Sequence, residues 1–134
     1  MLPRSTETLP IKSASDILSA RRIVREWCSE MKFSLVEQTK IVTAASELGR
    51  NTLQHGRGGM MTVAVEQNGN RHGLRLTFQD NGPGIANIEQ AMRDGFTTSG
   101  GMGLGLGGSK RLMNQFEIES KVGEGTRVTV IRWK

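Results

Sequence analysis

Apolar residues recur at helical spacing twice in the first half of the chain. Ile17, Ala20, Val24, Trp27 and Met31 share one face of a helix that opens at Ser13, with Asp16 three residues on as in a capping box. Ile41, Ala45, Leu48 and Thr52 line a second helix, which starts near Ser34 with Glu37 at its third position and stops before Gly56 and Gly58-Gly59. The period then changes to two. Met61 to Gln67 and Gly73 to Asp80 alternate around the turn-rich Asn68-Gly69-Asn70-Arg71, which predicts a hairpin of half-buried strands. A loop, a short helix near Asn87 to Arg93, a glycine-rich stretch and a helix near Ser109 to Gln115 follow. A second hairpin, Phe116 to Lys121 and Thr126 to Trp133, closes the chain around Val122-Gly123-Glu124-Gly125. This order predicts an α+β fold, a two-layer α/β sandwich with helices on one face of a mixed, mainly antiparallel sheet whose other face stays wet.

Composition narrows the function. The 134 residues fit one domain spanning 1–134, with a single core and no room for a separate sensor module. Hydrophobic content of 36% with 23% charged residues is that of a soluble globular protein. No apolar run approaches the ~18 residues of a membrane span, and no apolar segment follows Met1-Leu2-Pro3-Arg4-Ser5, so the cytoplasm is the expected location. Cys28 is the only cysteine; it excludes an internal disulfide and reads as a small packing residue. The net charge of +5 suits nucleic acid, an acidic protein surface or an anionic ligand. The basic residues are scattered, with no run of five and few aromatics between them, so a nucleic-acid surface has no support from their pattern.

Candidate chemistry gathers in four places. Glu47 and Asn51, four residues apart, stack on one side of the second helix with His55 a turn further, bordering the core face. Alone, they read equally as an amphipathic boundary. Asp80 shares the inward face of Leu74, Leu76 and Phe78 at the end of its strand, ahead of Asn81-Gly82-Pro83-Gly84-Ile85, where glycines permit close approach. Gly95, Gly100, Gly101, Gly103, Gly105, Gly107 and Gly108 crowd a stretch whose N–H groups could surround phosphate oxygens, with the following helix adding the field of its N-terminus. Lys110 could add a cation there, or be a solvated helix residue. The spacing of Gly103, Gly105 and Gly108 imitates a dinucleotide fingerprint, and Gly103 to Gly108 a phosphate-binding loop of the Walker type. Both fail, because no buried strand precedes them and Ser109-Lys110 reverses the Walker order. Thr126 begins the last strand on the face of Val128 and Val130, so its hydroxyl points inward.

Taken together, Glu47 with Asn51, Asp80-Asn81-Gly82-Pro83-Gly84, the Gly100 to Gly108 stretch and Gly125-Thr126 resemble, in order, the conserved boxes of the GHKL (Bergerat-fold) ATPases. The likeness spans nearly the whole chain. Ser46-Glu47-Leu48, Asp94-Gly95-Phe96 with Thr98-Ser99-Gly100-Gly101, and Lys110-Arg111-Leu112-Met113 bring it closest to the anti-sigma-factor type of serine/threonine kinase, in its stressosome-switch branch. The resemblance implies ATP and Mg²⁺ as cofactors. Asn51 would ligate the metal, Asp80 would accept from the adenine amino group, and Gly82 and Gly84 would let the base approach. Thr126 would complete the adenine contact, and Gly101, Gly103, Gly105, Leu106 and Lys110 would cover the phosphates. Glu47 would be the general base for the attacking hydroxyl. The partner implied is a STAS-type domain bearing the target residue, with a PP2C-type phosphatase activated by binding. A nucleotide-dependent binding module with little turnover and an ATP-hydrolysing piece of a larger machine stay open beside the kinase.

Overall fold

Side chains rather than helix propensity start both long helices. In the computed structural model, which describes residues 6–92 and 105–134, helix α1 spans Ala14–Glu30 and is capped by Ser13, whose hydroxyl accepts from the Asp16 N–H. The Asp16 carboxylate in turn accepts from the Lys12 N–H at 2.8 Å. Helix α2, Leu35–Gln54, opens on a full capping box in which Glu37 N–H donates to Ser34 Oγ and Ser34 N–H to Glu37 Oε1. Its end is fixed by the N–H groups of His55 and Gly56, both donating to the Asn51 carbonyl, and by Arg57 and Gly58 in positive φ.

Five strands form one sheet in the order β1-β2-β3-β5-β4, with β1 Thr6–Ile11, β2 Gly59–Asn68, β3 Arg71–Asp80, β4 Gln115–Lys121 and β5 Gly125–Trp133. All four pairings are antiparallel, so the sheet expected to be mixed has no parallel pair among its described strands. The crossover from β3 to the edge strand β4 carries the short helix α3, Ile88–Ala91, and helix α4, Gly105–Leu112. Across β2, β3 and β5 the inward side chains stand in register: Met61, Phe78 and Val128 in one row, Val63, Leu76 and Val130 in the next. They meet Ala20, Val24, Trp27, Ile41, Ala45 and Leu48 from the two long helices in one buried cluster. Burial pushes the Cys28 thiol in this cluster up to about 12, so it stays protonated and inert.

The opposite face carries Thr8, Thr62, Thr77 and Thr129 in one row across β1, β2, β3 and β5, none of them buried. The wet face of a two-layer sandwich is therefore as expected. The structure differs from the sequence reading in two elements. Strand β1 is unannounced there, and α4 runs from Gly105 to Leu112 rather than from near Ser109 to Gln115, which instead opens β4. Gly107, Gly108 and Ser109 are buried, and α4 packs on α2. A segment whose glycines read as loop becomes helix, its packing on α2 outweighing the ~1 kcal/mol per glycine of poor propensity.

Candidate functional site

Register creates the floor of the site. Gly59, Asp80, Thr126 and Ser120 stand opposite one another across β2, β3, β5 and β4, one row beyond the apolar core. The Asp80 carboxylate is half-buried and its Oδ1 accepts two backbone N–H bonds, from Gly82 at 3.0 Å and Thr126 at 3.2 Å. One oxygen is thus committed to holding strand ends together. Thr126 Oγ1 lies 2.7 Å from Ser120 Oγ, which also accepts from the Ile85 N–H and donates to the Gly125 carbonyl. Ser120 hence ties the 81–85 turn to the start of β5.

Above this floor opens a cavity of ≈ 260 Å³, near the lower limit for small-molecule sites of roughly 300–1,000 Å³. Asn51, Thr52, His55 and Gly56 at the end of α2 line one side, Asp80 and Thr126 the floor, and Gly84, Ile85, Ala86, Asn87, Gln90 and Ala91 the far wall; Phe78, Val128, Leu48 and Leu106 make its apolar depth. An apolar depth with a few polar groups at one edge is the usual form of a small-molecule site.

Of the two glycines expected beside the ligand, Gly84 lines the cavity and Gly82 does not. A methyl on Gly82 would lie 2.7 Å from the Gly56 Cα, so Gly82 admits the chain's own backbone and does not line the cavity. Gly84, at φ +77°, does line it, but its missing side chain is required by the Lys121 carbonyl behind. At Gly56 a methyl would overlap the Asp80 carboxylate, and at Gly125 it would overlap the Asp80 carbonyl. Gly56 and Gly125 therefore close directly on Asp80, while Gly82 lies against Gly56 and Gly84 against Lys121.

Glu47 is 6% exposed and does not line the cavity. Its Oε1 accepts from Arg50 NH1 at 3.0 Å. Leu106, buried in α4, closes the cavity as a wall residue, while Lys110, on the exposed side of α4, stands outside the lining. Gly105 is the first residue of α4, and Gly101 and Gly103 lie outside the described residues. Sequence reading missed Gly56, Ser120 and Arg50. Gly56 was visible only as a helix stop. Ser120 is the inward residue opposite Thr126, a pairing that needs the β4–β5 register.

The α+β sandwich holds an apolar slot between α2, the end of β3 and the start of β5, floored by a backbone-anchored aspartate, and the family its sequence matches is one of ATPase domains. Residues 36–134 match the family HATPase_c, described as "Histidine kinase-, DNA gyrase B-, and HSP90-like ATPase", and the chain belongs to that family. Within it the chain is 42% identical over 118 residues to the serine/threonine-protein kinase RsbT of Bacillus subtilis, covering 88% of this chain and 89% of the relative. It is 34% identical over 120 residues to the anti-sigma F factor of Anoxybacillus flavithermus, covering 84% and 81%. These relatives identify it as an enzyme of the protein serine/threonine kinase type. Among solved structures, the RsbU and RsbW domains of Rv1364c from Mycobacterium tuberculosis superpose with TM-score 0.64 at 21% identity, over 96% of this chain and 33% of that one. The catalytic domain of histidine kinase ThkA superposes at 0.53 and 17% identity, over 94% and 95%. At those identities both establish the fold alone.

Proposed function

We propose that this protein transfers the terminal phosphoryl group of ATP to a serine or threonine on a STAS-type partner, in a bacterial cytoplasmic partner-switching pathway, and that it activates a PP2C-type phosphatase by binding it. The observation that carries the nucleotide site is Asp80: one oxygen held by two N–H groups, in a carboxylate that lines the same cavity as Asn51. The tethered carboxylate keeps its second oxygen as an acceptor for an exocyclic amino group, and Thr126 lies beside it on the floor. Asn51, at the cavity edge, offers a carbonyl oxygen to Mg²⁺. No group of three or more His, Cys, Asp or Glu that could hold a metal occurs among the described residues. That fits an ion bound chiefly through phosphate oxygens, as Mg²⁺ commonly is. Bound Mg-ATP supplies the phosphoryl donor and its charge neutralisation. Glu47, one turn before Asn51 on α2, then accepts the proton of the attacking hydroxyl.

No helix among the described residues is long and apolar enough to cross a membrane. The chain's +5 charge would favour encounter with acidic partner surfaces. The Glu47–Arg50 pair keeps a second reading in view, a binding module in which Glu47 serves structure. Calorimetry with and without Mg²⁺, followed by phosphotransfer assays on purified STAS-domain proteins, separates the two. Glu47→Ala is expected to abolish transfer while leaving ATP affinity within about threefold, since a base contributes typically 10²–10⁴-fold to rate and nothing to nucleotide affinity. Asn51→Ala is expected to remove the magnesium dependence. Full transfer by Glu47→Ala would eliminate the kinase mechanism as drawn.

A further inference from the structure

Glu47 is flanked on α2 by two polar neighbours, Arg50 and Asn51, three and four residues on. At about 100° per residue they diverge by about 60° on one side and about 40° on the other. Asn51 faces the cavity and Arg50 turns away from it, one third exposed. The Glu47 carboxylate, 7% exposed, takes its hydrogen bond from the Arg50 side at 3.0 Å. A surface i,i+3 pair is worth only a few tenths of a kcal/mol, but this acid is nearly removed from water, where an ionised oxygen needs a partner. Among the described residues, no hydrogen bond is made to Oε2.

We propose that Arg50 is a positioning residue for Glu47. Its guanidinium holds Oε1, sets the plane and rotamer of the carboxylate, and leaves Oε2 as the oxygen that meets the acceptor hydroxyl. The proposal rests on the reading of Glu47 as general base. A planar guanidinium fixes both position and plane, whereas a lysine ammonium supplies charge with little orientation. Arg50 lies outside the cavity lining, so its loss is expected to leave nucleotide affinity unchanged.

The experiment compares the parent protein, Arg50→Ala, Arg50→Lys and Glu47→Ala, using radiolabelled ATP, Mg²⁺ and a STAS-domain protein as acceptor. ATP affinity is measured separately by calorimetry. Arg50→Ala is expected to lose about 10- to 100-fold in kcat with ATP affinity unchanged, and Arg50→Lys to regain part of the loss. In the nucleotide-free parent, the Arg50 side-chain NMR resonance should move on Glu47→Gln, reporting the pair independently of activity. Parent-like kcat in Arg50→Ala beside a dead Glu47→Ala overturns the proposal alone. Parent-like kcat in Glu47→Ala, or no transfer by the parent, overturns the base reading and this proposal with it. Loss of ATP binding along with kcat in Arg50→Ala, without recovery in Arg50→Lys, marks a structural role and also overturns it.

Discussion

At the scale of single residues, the site depends on atoms that are absent. Gly56 ends α2 and lies so close to Asp80 that an added methyl would overlap its carboxylate. Gly56→Ala must therefore push Asp80 out of line with the Gly82 and Thr126 N–H groups. We expect ATP affinity to fall at least about tenfold, and stability by about 1–3 kcal/mol, the usual cost of forcing extra volume into a packed site. Calorimetry and urea denaturation of this variant provide the check, and unchanged affinity would show that Asp80 can move without loss. Asp80 was legible in the sequence because a two-residue period carried an apolar face straight into it. The role of Gly56 was not, because it depends on a contact between two chain segments 24 residues apart that no local pattern records.

Elements were legible where local chemistry specifies them. Ser13 and Ser34 cap α1 and α2 at the positions their sequence marks, and Gly69, at φ +63°, makes the two-residue loop between the paired Asn68 and Arg71. Ser34→Ala removes the hydroxyl that accepts from Glu37 N–H and opens the capping box. It is expected to cost about 1 kcal/mol in chemical denaturation, with ATP affinity unaffected because the cavity lies at the other end of α2. A loss below about 0.3 kcal/mol would mean that water replaces the cap. Strand β1 was hidden because only Leu9 and Ile11 give it inward apolar residues, and Pro10 weakens the strand signal except at an edge, where β1 lies. Its third inward residue is an acid, Glu7, whose Oε1 accepts from the buried Trp27 Nε1 at 2.8 Å. The start of α4 was hidden for the opposite reason, since its glycines announce flexibility and only packing on α2 holds the segment as a helix.

For the molecule as a whole, the proposed nucleotide cavity is where separate parts of the fold converge: the C-terminal end of α2, the end of β3, the 84–91 segment, α4 through Leu106, and the start of β5. A ligand seated there ties these parts together and so stabilises the entire fold by mass action. At a hundredfold excess over its dissociation constant it adds about 2.7 kcal/mol, which for 134 residues is a rise in Tm of about 10 °C. Asp80→Asn tests this linkage with little disturbance to the fold. The new carboxamide oxygen can accept from Gly82 and Thr126 as Asp80 Oδ1 does; replacing a charged acceptor by a neutral one costs about 1 kcal/mol. The unliganded variant should therefore melt within about 4 °C of the parent. Its NH₂ group, however, presents donors where the parent's second oxygen accepts, so an exocyclic amino group of the base meets another donor. Thermal scans with and without Mg-ATP are expected to show the rise in the parent and its loss in Asp80→Asn. A rise of equal size in both would mean that the base does not read this carboxylate, and would move the recognition of adenine to Thr126 and the turn that Ser120 holds beside it.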